Sequence, residues 1–361
     1  MIESVFNEVD RISREFDLSG LVNVSEIHSG KVNQTCRADF LIDGWMHSYI
    51  VQKVNTYVFR KPWDIMHNIA MISEFIAEHH PDIKTLCYIH ALDGKNYYED
   101  GPAFWRMYRY VDSVSYSSSK DPLIVLNAGK AFGRFQRALN DFDASQLRYT
   151  IPDFHNTTKR YADLSADFSA DTLGRAASCA SEVSYILSMK DKALVLDKLF
   201  AAGRIPLRVT HNDTKINNVL FDPDTKKAVC VVDLDTVMPG LAGHDFGDAI
   251  RSAANSKGSS SLEFDKVEID MGIYRAFAEG FLSQTATLFG ADEIASLADS
   301  CLVMTLELAS RYLDDYLTGD KYFKAKYGEQ NLNRARNLIA LAKSMDSRMD
   351  EMRKTIKEIV S

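Results

Sequence analysis

The sequence predicts an α+β fold with two unequal lobes: a small antiparallel-sheet lobe over residues 1–110 and a larger, mainly helical lobe over residues 111–361. Strand-like runs separated by turn residues are concentrated in the first third of the chain, and helical periodicity dominates from about residue 121 onwards. A β-rich stretch over residues 207–232 interrupts the helical part. Because ligands bind preferentially in clefts, the junction between the lobes is the expected ligand site.

The small lobe is predicted to contain five strands and one helix, preceded by a helix at the N-terminus. In that first helix, apolar side chains recur at the spacing of one face, namely Val5, Phe6, Val9, Ile12 and Phe16. The expected strands cover residues 22–27, 34–41, 47–54, 86–92 and 103–111. Asp43-Gly44, between the second and third strands, predicts a tight hairpin. The other helix is expected over residues 62–79.

The larger lobe is predicted to consist mainly of long helices. They are expected over residues 123–142, 172–200, 266–289, 291–317 and 333–360. The last helix carries an apolar stripe at spacings of three and four, formed by Leu338, Leu341, Met345, Met349, Met352, Ile356 and Ile359. Such a stripe packs either on the rest of the lobe or against a second copy of the chain. The sequence therefore predicts a monomer or a homodimer.

Charge and composition narrow the classes of partner. A formal net charge of -8 argues against binding to a nucleic-acid backbone, which requires a concentrated basic surface. The N-terminus lacks the basic and apolar regions of a signal peptide, and no segment approaches the ~20 apolar residues that span a bilayer. The five cysteines are scattered and never form a CxxC pair, as is typical of reduced thiols. We therefore expect a cytoplasmic protein that has no nucleic-acid or membrane partner.

The most informative segment runs from His211 to Asn218 and has the form H-x-D-x-x-x-x-N, the pattern of a kinase catalytic loop. Asp213 is the predicted catalytic base, which accepts the proton of an attacking hydroxyl. Lys215 has the charge and reach to contact the transferring phosphoryl oxygens. Asn218 offers an amide oxygen to Mg²⁺ without adding negative charge beside the phosphates. This order of residues predicts phosphoryl transfer from ATP with Mg²⁺.

Two further acidic motifs follow this loop. The apolar run 228–232 ends at Asp233, which is the predicted second magnesium ligand. Asp235 shares its face and is expected to support the metal or to orient the acceptor. Asp245-Phe246-Gly247 has the letters of a kinase metal-binding motif, but it lies thirty-two residues after Asp213 and follows no apolar strand. We therefore expect Asp245 to bind loop backbone groups instead.

At these residues the chain resembles the aminoglycoside phosphotransferase and choline kinase superfamily and, within it, bacterial N-acetylhexosamine 1-kinases. The matching stretches span nearly the whole chain: 105–108, 142–147, 207–218, 232–240, 245–251, 311–320 and 322–323. The resemblance implies a protein-kinase-like, two-lobed fold. It also implies ATP-dependent phosphorylation of the anomeric hydroxyl of N-acetylglucosamine or N-acetylgalactosamine, a small sugar substrate.

The resemblance also implies a sugar pocket. Arg311 and Tyr322 would lie in it, where the guanidinium can bond sugar oxygens and the phenol ring can pack on the sugar. In the segment 29–33, Gly30 would belong to the loop over ATP, and Lys31 and Asn33 to the sugar pocket. Relatives have His at the position of Lys31 and an aromatic residue at that of Ser252. Lys31 has two other interpretations, a solvated loop lysine or a phosphate contact.

The remaining nucleotide contacts follow from analogy with kinases. Gln52 and Lys53 lie on the strand expected to supply the ATP-anchoring residue, and they point to opposite faces. Lys53 is the electrostatically preferred partner for phosphate. Adenine is expected to bond backbone groups between Arg109 and Val111.

Two alternatives remain open at this point. The same fold can phosphorylate another sugar, an amino alcohol such as choline, or an aminoglycoside, and Asp314, Asp315 and Asp320 are candidate carboxylates for a cationic acceptor. A non-catalytic kinase-like binding protein would be expected to lack the base or a metal ligand, and the sequence retains both.

Overall fold

The small lobe is built on one antiparallel sheet. The computed structural model describes residues 2–27 and 32–361. The five strands of this sheet are β1 (Leu21–Glu26), β2 (Gln34–Ile42), β3 (Trp45–Val54), β4 (Tyr98–Asp100) and β5 (Ala103–Arg109), in the order β1-β2-β3-β5-β4. Two helices belong to this lobe, α1 (Ile2–Arg14) and α2 (Pro62–His79).

The two helices pack on opposite faces of the sheet. Val9 and Ile12 of α1 share a buried cluster with Val51 of β3. Ile65 and Ile69 of α2 share another buried cluster with residues from the opposite face, Val54 and Phe104. Since successive side chains of a strand alternate between faces, these clusters fix which residues of β3 point towards α1 and which towards α2.

The predicted strand over residues 86–92 is not formed as a continuous strand. Only Tyr88 makes a bridge, to Tyr108, while β4 lies later in the chain than expected. The reason is that two short segments share the outer edge of β5. Tyr98 of β4 pairs with Trp105 near its start, and Ile89 donates its N–H to Met107 O nearer its end.

The larger lobe is mainly helical. Its helices are α3 (Pro122–Ala138), α4 (Thr157–Ala170), α5 (Ala176–Ser188), α6 (Lys190–Ala193), α7 (Val195–Ala201), α8 (Ala242–Ala253), α9 (Met271–Thr285), α10 (Ala291–Thr318), α11 (Gln330–Ser347) and α12 (Met349–Val360). Between α7 and α8 lie four short strands, β6 (Arg208–Thr210), β7 (Val219–Phe221), β8 (Ala228–Val231) and β9 (Met238–Gly240). Strand β6 pairs with β9, and β7 with β8. In the part of the chain described, no helix is long and apolar enough to cross a bilayer.

Helix boundaries in this lobe differ from those expected. The predicted helix 172–200 is divided into α5, α6 and α7, and the predicted helix 333–360 is broken at Arg348. Helices α4 and α8 were not predicted. The C-terminal apolar stripe packs within the lobe, because Leu341, Met345 and Met352 are buried in its main core.

Helices α3 and α9 approach so closely that glycine is required at their crossing. A Cβ added to Gly280 of α9 would lie 2.1 Å from Leu126 O of α3, and one added to Gly129 of α3 would lie 2.4 Å from Phe277 O. Both obstacles are backbone atoms, which cannot rotate away as a side chain can. The contact holds α3 rigidly against the centre of the lobe.

Gly280→Ala is therefore expected to destabilise the protein by up to about 2 kcal/mol net, because overpacking usually costs about 1–3 kcal/mol. The helix propensity of alanine favours the substitution by only about 1 kcal/mol. Urea denaturation measures the change. Gly328→Ala is the matched control, since an added Cβ meets nothing within 4 Å there. Equal free energies of unfolding for the two variants would contradict the required close approach.

Candidate active site

Asp213 lies in the loop between β6 and β7 and is surrounded by polar groups. Lys215 Nζ lies 2.5 Å from its Oδ1, and Asn218 Nδ2 donates to its Oδ2 at 3.1 Å. Burial alone would raise the pKa of Asp213, but the charge of Lys215 and these hydrogen bonds outweigh it and hold the pKa below its usual value. The carboxylate is thus ionised at neutral pH and able to accept a proton.

Buried side chains hold the backbone of this loop in place through hydrogen bonds. Asp213 N–H donates to His211 Nδ1 at 3.3 Å, so the other ring nitrogen carries the hydrogen and donates to Val232 O at 2.9 Å. The carboxylate of Asp245 accepts from the N–H groups of His211 and Asn212 at 3.0 and 2.7 Å. Asp245 therefore binds loop backbone, as the sequence predicted.

Asp233 follows β8 in a left-handed conformation, with φ 62°. The residue is exposed to solvent, although many protein atoms lie around its carboxylate. Burial, followed by the neighbouring carboxylates of Asp235 and Asp213, raises the pKa of Asp233 to about 6. The carboxylates of Asp213, the predicted base, and Asp233, the predicted magnesium ligand, thus lie close enough to repel each other.

The residues present suit a hard divalent cation. Asn218 uses its Nδ2 to bond Asp213, while its Oδ1 accepts from Asn217 Nδ2 at 3.2 Å and keeps a second lone pair that can serve a metal. Val232 N–H donates to Asn218 O at 2.9 Å, which ties this residue to the start of the Asp233 segment. A cation between Asn218 and Asp233 would offset the excess negative charge at Asp233. In the ranges 2–27 and 32–361 no cluster of three or more His, Cys, Asp or Glu side chains offers an alternative metal site.

Asp235 joins the two lobes through a buried network. Its Oδ1 lies 2.6 Å from Arg106 Nη1, and its Oδ2 accepts from Asn33 Nδ2 at 2.8 Å. The side chains of Arg106 and Asp235 are only 2% and 3% exposed. Arg106 Nε also donates to Gln52 Oε1 at 2.9 Å. Despite burial, which opposes it, the charge of Asp235 raises the pKa of Arg106.

Arg106 is a residue that the sequence interpretation missed, although a signal was available. It stands in the strand 103–109 between Trp105 and Met107, in an otherwise apolar run. A charged side chain in such a run requires a buried partner. Nothing in the sequence identified Asp235, 129 positions later, as that partner.

Lys53 lies on the face of the sheet opposite to the one expected for a phosphate contact. Its Nζ pairs with Glu8 of α1 at 3.0 Å and lies 4.9 Å from the Trp105 ring centroid. Val51, two residues earlier, packs under α1, so strand alternation places Lys53 on the α1 side. Gln52 faces the cleft instead, through its bond to Arg106.

The segment expected to bind adenine connects the two lobes. Arg109 N–H donates to Cys87 O, and Tyr110 N–H donates to Ser48 O, both at 3.0 Å. Within the described residues, the N–H of Val111 has no hydrogen-bond acceptor. Of the three N–H groups, that of Val111 is therefore the one available to a nucleobase.

Arg311 and Tyr322 lie together in the helical lobe. The Arg311 guanidinium is 5.4 Å from the ring centroids of Tyr322 and Phe323 and 5.2 Å from that of Phe154. No carboxylate of the described residues lies within 4.0 Å of this guanidinium. Its hydrogen-bonding groups thus remain available to a ligand, and the rings hold it in place. Gly30 and Lys31 lie outside the described residues.

A buried His–Glu pair links this region to the catalytic loop. His155 Nδ1 lies 2.7 Å from Glu307 Oε1, and its Nε2 donates to Asn212 O at 3.1 Å. Burial would lower the pKa of His155, but Glu307 outweighs burial and raises it. The neighbouring His244 ring, 4.9 Å away, has its pKa lowered to about 3 by burial and by His155. The His155 ring, held by Glu307, thus supports the backbone of Asn212. Sequence reasoning missed this pair, whose members are 152 positions apart.

The chain is similar to known proteins in sequence family and in fold. Residues 40–272 match the phosphotransferase enzyme family (APH). A microcompartment-associated aminopropanol kinase is similar in structure, with 14% identity, a TM-score of 0.65, and 96% of this chain and 98% of that chain covered. A choline kinase from Cryptosporidium parvum has 13% identity and a TM-score of 0.61, with coverages of 100% and 99%. A spectinomycin phosphotransferase in complex with ADP and spectinomycin has 13% identity and a TM-score of 0.60, with coverages of 96% and 98%. These likenesses confirm the predicted protein-kinase-like, two-lobed α+β fold.

Proposed function

We propose that this chain, which belongs to the phosphotransferase enzyme family, transfers the γ-phosphoryl group of ATP to a hydroxyl of a small sugar. The observation that carries this proposal is the ionised carboxylate of Asp213, bonded to Lys215 and Asn218 and close to Asp233. Asp213 would accept the proton of the attacking hydroxyl. A structurally similar phosphotransferase binds ADP, which supports an adenine nucleotide as the donor.

The other groups of the site would position and neutralise the phosphates. Lys215 would move from Asp213 to the transferring phosphoryl oxygens, over which negative charge is spread in the transition state. Mg²⁺, held by Asn218 and Asp233, would neutralise charge on the phosphates when bound. Adenine would bond the free N–H of Val111, between the two lobes. We also propose that the nucleotide-binding lobe ends at residue 110 and that the catalytic and substrate-binding lobe begins at residue 111.

The acceptor in this proposal is an N-acetylhexosamine, phosphorylated at its anomeric hydroxyl. Arg311 supports a neutral, oxygen-rich acceptor, because it presents unpaired donors beside Tyr322. Two of the carboxylates considered for a cationic acceptor have other partners. Asp315 is buried and accepts from the N–H groups of Tyr322 and Phe323 at 2.8 Å, and Asp320 pairs with Arg175 at 2.7 Å.

A cationic amino alcohol is the second candidate, and one observation favours it. Asp314 Oδ1 is buried without a hydrogen-bond partner. Burial and the nearby carboxylates of Asp167 and Asp163 raise the pKa of Asp314 to about 7. A cationic acceptor would ionise this group and pair with it.

An ADP-release assay separates the two candidates. With Mg-ATP, we expect turnover of N-acetylglucosamine or N-acetylgalactosamine, and little turnover of glucose, galactose or choline. Activity on choline with none on either N-acetylhexosamine would overturn the sugar assignment. Absence of activity on all acceptors together with no ATP binding would overturn the kinase assignment.

Arg311→Met is expected to raise KM for the sugar about 10- to 150-fold, the loss of one charged hydrogen bond of about 1.5–3 kcal/mol. The effect on kcat should be smaller, because Arg311 contacts a part of the acceptor that does not react. Arg204→Met is the control, since Arg204 pairs with Asp292 at the other end of α10, about 28 Å away along the helix. An unchanged KM in Arg311→Met would remove Arg311 from the acceptor pocket.

A further inference from the structure

A cavity lies between the lobes, apart from the predicted catalytic groups. Its volume is about 650 Å³, within the range of small-molecule sites, roughly 300–1,000 Å³. The small lobe contributes α2 and the segment 82–85, and the larger lobe contributes α3 and β8. Asp213, Asn218 and Asp233 do not line it, nor do residues 109–111. We call this cavity the basic cleft.

The charge of the basic cleft contrasts with that of the whole chain. Five cationic side chains line it: Lys84, Lys130, Arg134, Arg137 and Lys227. The only carboxylate among the described residues of its lining is Asp82. Five cations against one carboxylate leave a formal excess of four positive charges, in a chain whose net charge is -8.

These cations are not neutralised by the protein itself. None of the five forms an ion pair with a described residue, whereas Arg208 pairs with Glu293 and Arg336 with Glu182 elsewhere in the same lobe. Like charges gathered in a concave site repel one another and create a strong positive potential, which concentrates anions. The repulsion between these cations destabilises the folded chain, and a bound anion with several negative charges would remove that repulsion.

The remaining lining suits an apolar group beside the charges. Ile76 of α2 and Phe135 of α3 present buried apolar side chains, and Val229 of β8 adds a partly buried one. Lys130 and Arg134 are four residues apart on α3, so they lie on one face of the helix and are both exposed. The cleft thus combines cations that can bind phosphate with an apolar surface that can accommodate a ring.

We propose that the basic cleft binds a small molecule in which two or more phosphate charges are attached to an apolar or aromatic group, as in a nucleoside diphosphate. Guanidinium groups bind phosphate oxygens with two parallel hydrogen bonds, and lysines add charge without directional demands. This site is separate from the proposed phosphate transfer. Its occupant would contact both lobes at once.

Inorganic pyrophosphate and uridine 5′-diphosphate are the probes, used with the full chain. We expect both to slow amide hydrogen exchange in segments 82–85 and 227–231, measured by peptide-resolved mass spectrometry. The nucleotide should bind more tightly by calorimetry, because it also covers the apolar wall. Equal affinities would overturn the apolar part of the proposal, and absence of slowed exchange at millimolar probe would overturn the site.

Charge reversal on α3 gives the specific test. The double variant Lys130→Glu/Arg134→Glu should lower the affinity at the cleft at least about tenfold and abolish the slowed exchange there. Lys190→Glu/Lys357→Glu changes the net charge equally at exposed, unpaired lysines outside the cleft and should bind as the native chain does. Equal losses in both double variants would show a general charge effect and overturn the site.

Protection by an acidic peptide but by neither probe would overturn the small-molecule assignment. Neither readout depends on turnover, so failure here would leave the proposed kinase activity untouched.

Discussion

Asp213→Asn is expected to lower kcat by about 10²–10⁴-fold, the contribution usual for a general base. The amide has nearly the same shape as the carboxylate and can still bond Asn218, so the loop should keep its conformation. What it loses is the ability to accept the proton of the acceptor hydroxyl and the attraction of Lys215, whose Nζ lies 2.5 Å from the carboxylate. ATP affinity should change much less than kcat, because the base acts as the chemical step begins.

Coupled ADP release measures kcat, and calorimetry measures ATP affinity. Asp191→Asn is a suitable control, because the Asp191 side chain is almost fully exposed and pairs only with Lys198 on the surface. Full turnover by Asp213→Asn would show that this carboxylate is not the base. A loss of ATP binding as large as the loss of kcat would indicate a change in the loop as a whole.

Arg106→Met is expected to lower the free energy of unfolding by about 3–5 kcal/mol, since it leaves the carboxylate of Asp235 buried without its cation. This guanidinium is the only part of the described network that neutralises Asp235; Asn33 contributes a neutral hydrogen bond. Gln52 would also lose its bond to Arg106 Nε. Urea denaturation followed by circular dichroism measures the loss.

The double variant Arg106→Met/Asp235→Asn distinguishes an uncompensated charge from simple loss of packing. It removes the buried charge while keeping an oxygen that can accept from Asn33, so it should recover much of the lost stability. Arg11→Met, at an exposed pair with Asp100, should cost less than about 1 kcal/mol. A double variant no more stable than Arg106→Met alone would refute the buried-charge explanation.

Features encoded by neighbouring residues were predictable from the sequence. Helix α2 has the predicted limits, Pro62–His79, and the hairpin at Asp43-Gly44 joins β2 to β3. The backbone-binding role of Asp245 was also predicted, because the residue follows no apolar strand. For the helix and the hairpin, the deciding information lies within a few residues of the feature itself.

Features that depend on distant contacts were not predictable. Helix α8 was missed because every residue from Ala242 to Arg251 is buried, so no alternation of polar and apolar faces marks it. Alternation showed that Gln52 and Lys53 lie on opposite faces of β3. It did not show that α1 covers the face of Lys53. The Arg106–Asp235 pair was likewise unpredictable, because it depends on the folded chain bringing β5 next to the segment after β8.

The contacts of Asp235 restrict how the lobes can move. Arg106 and Asn33 belong to the small lobe, and both bind a carboxylate two positions beyond Asp233. Breaking this ion pair while it stays buried would leave a carboxylate and a guanidinium without partners in a dry interior, at a cost of several kcal/mol. Any movement of the lobes that keeps this pair intact therefore leaves the distance between β5 and the segment after β8 nearly constant. In the proposed kinase we therefore expect nucleotide to exchange by a rotation of the lobes that leaves Asp233 beside β5.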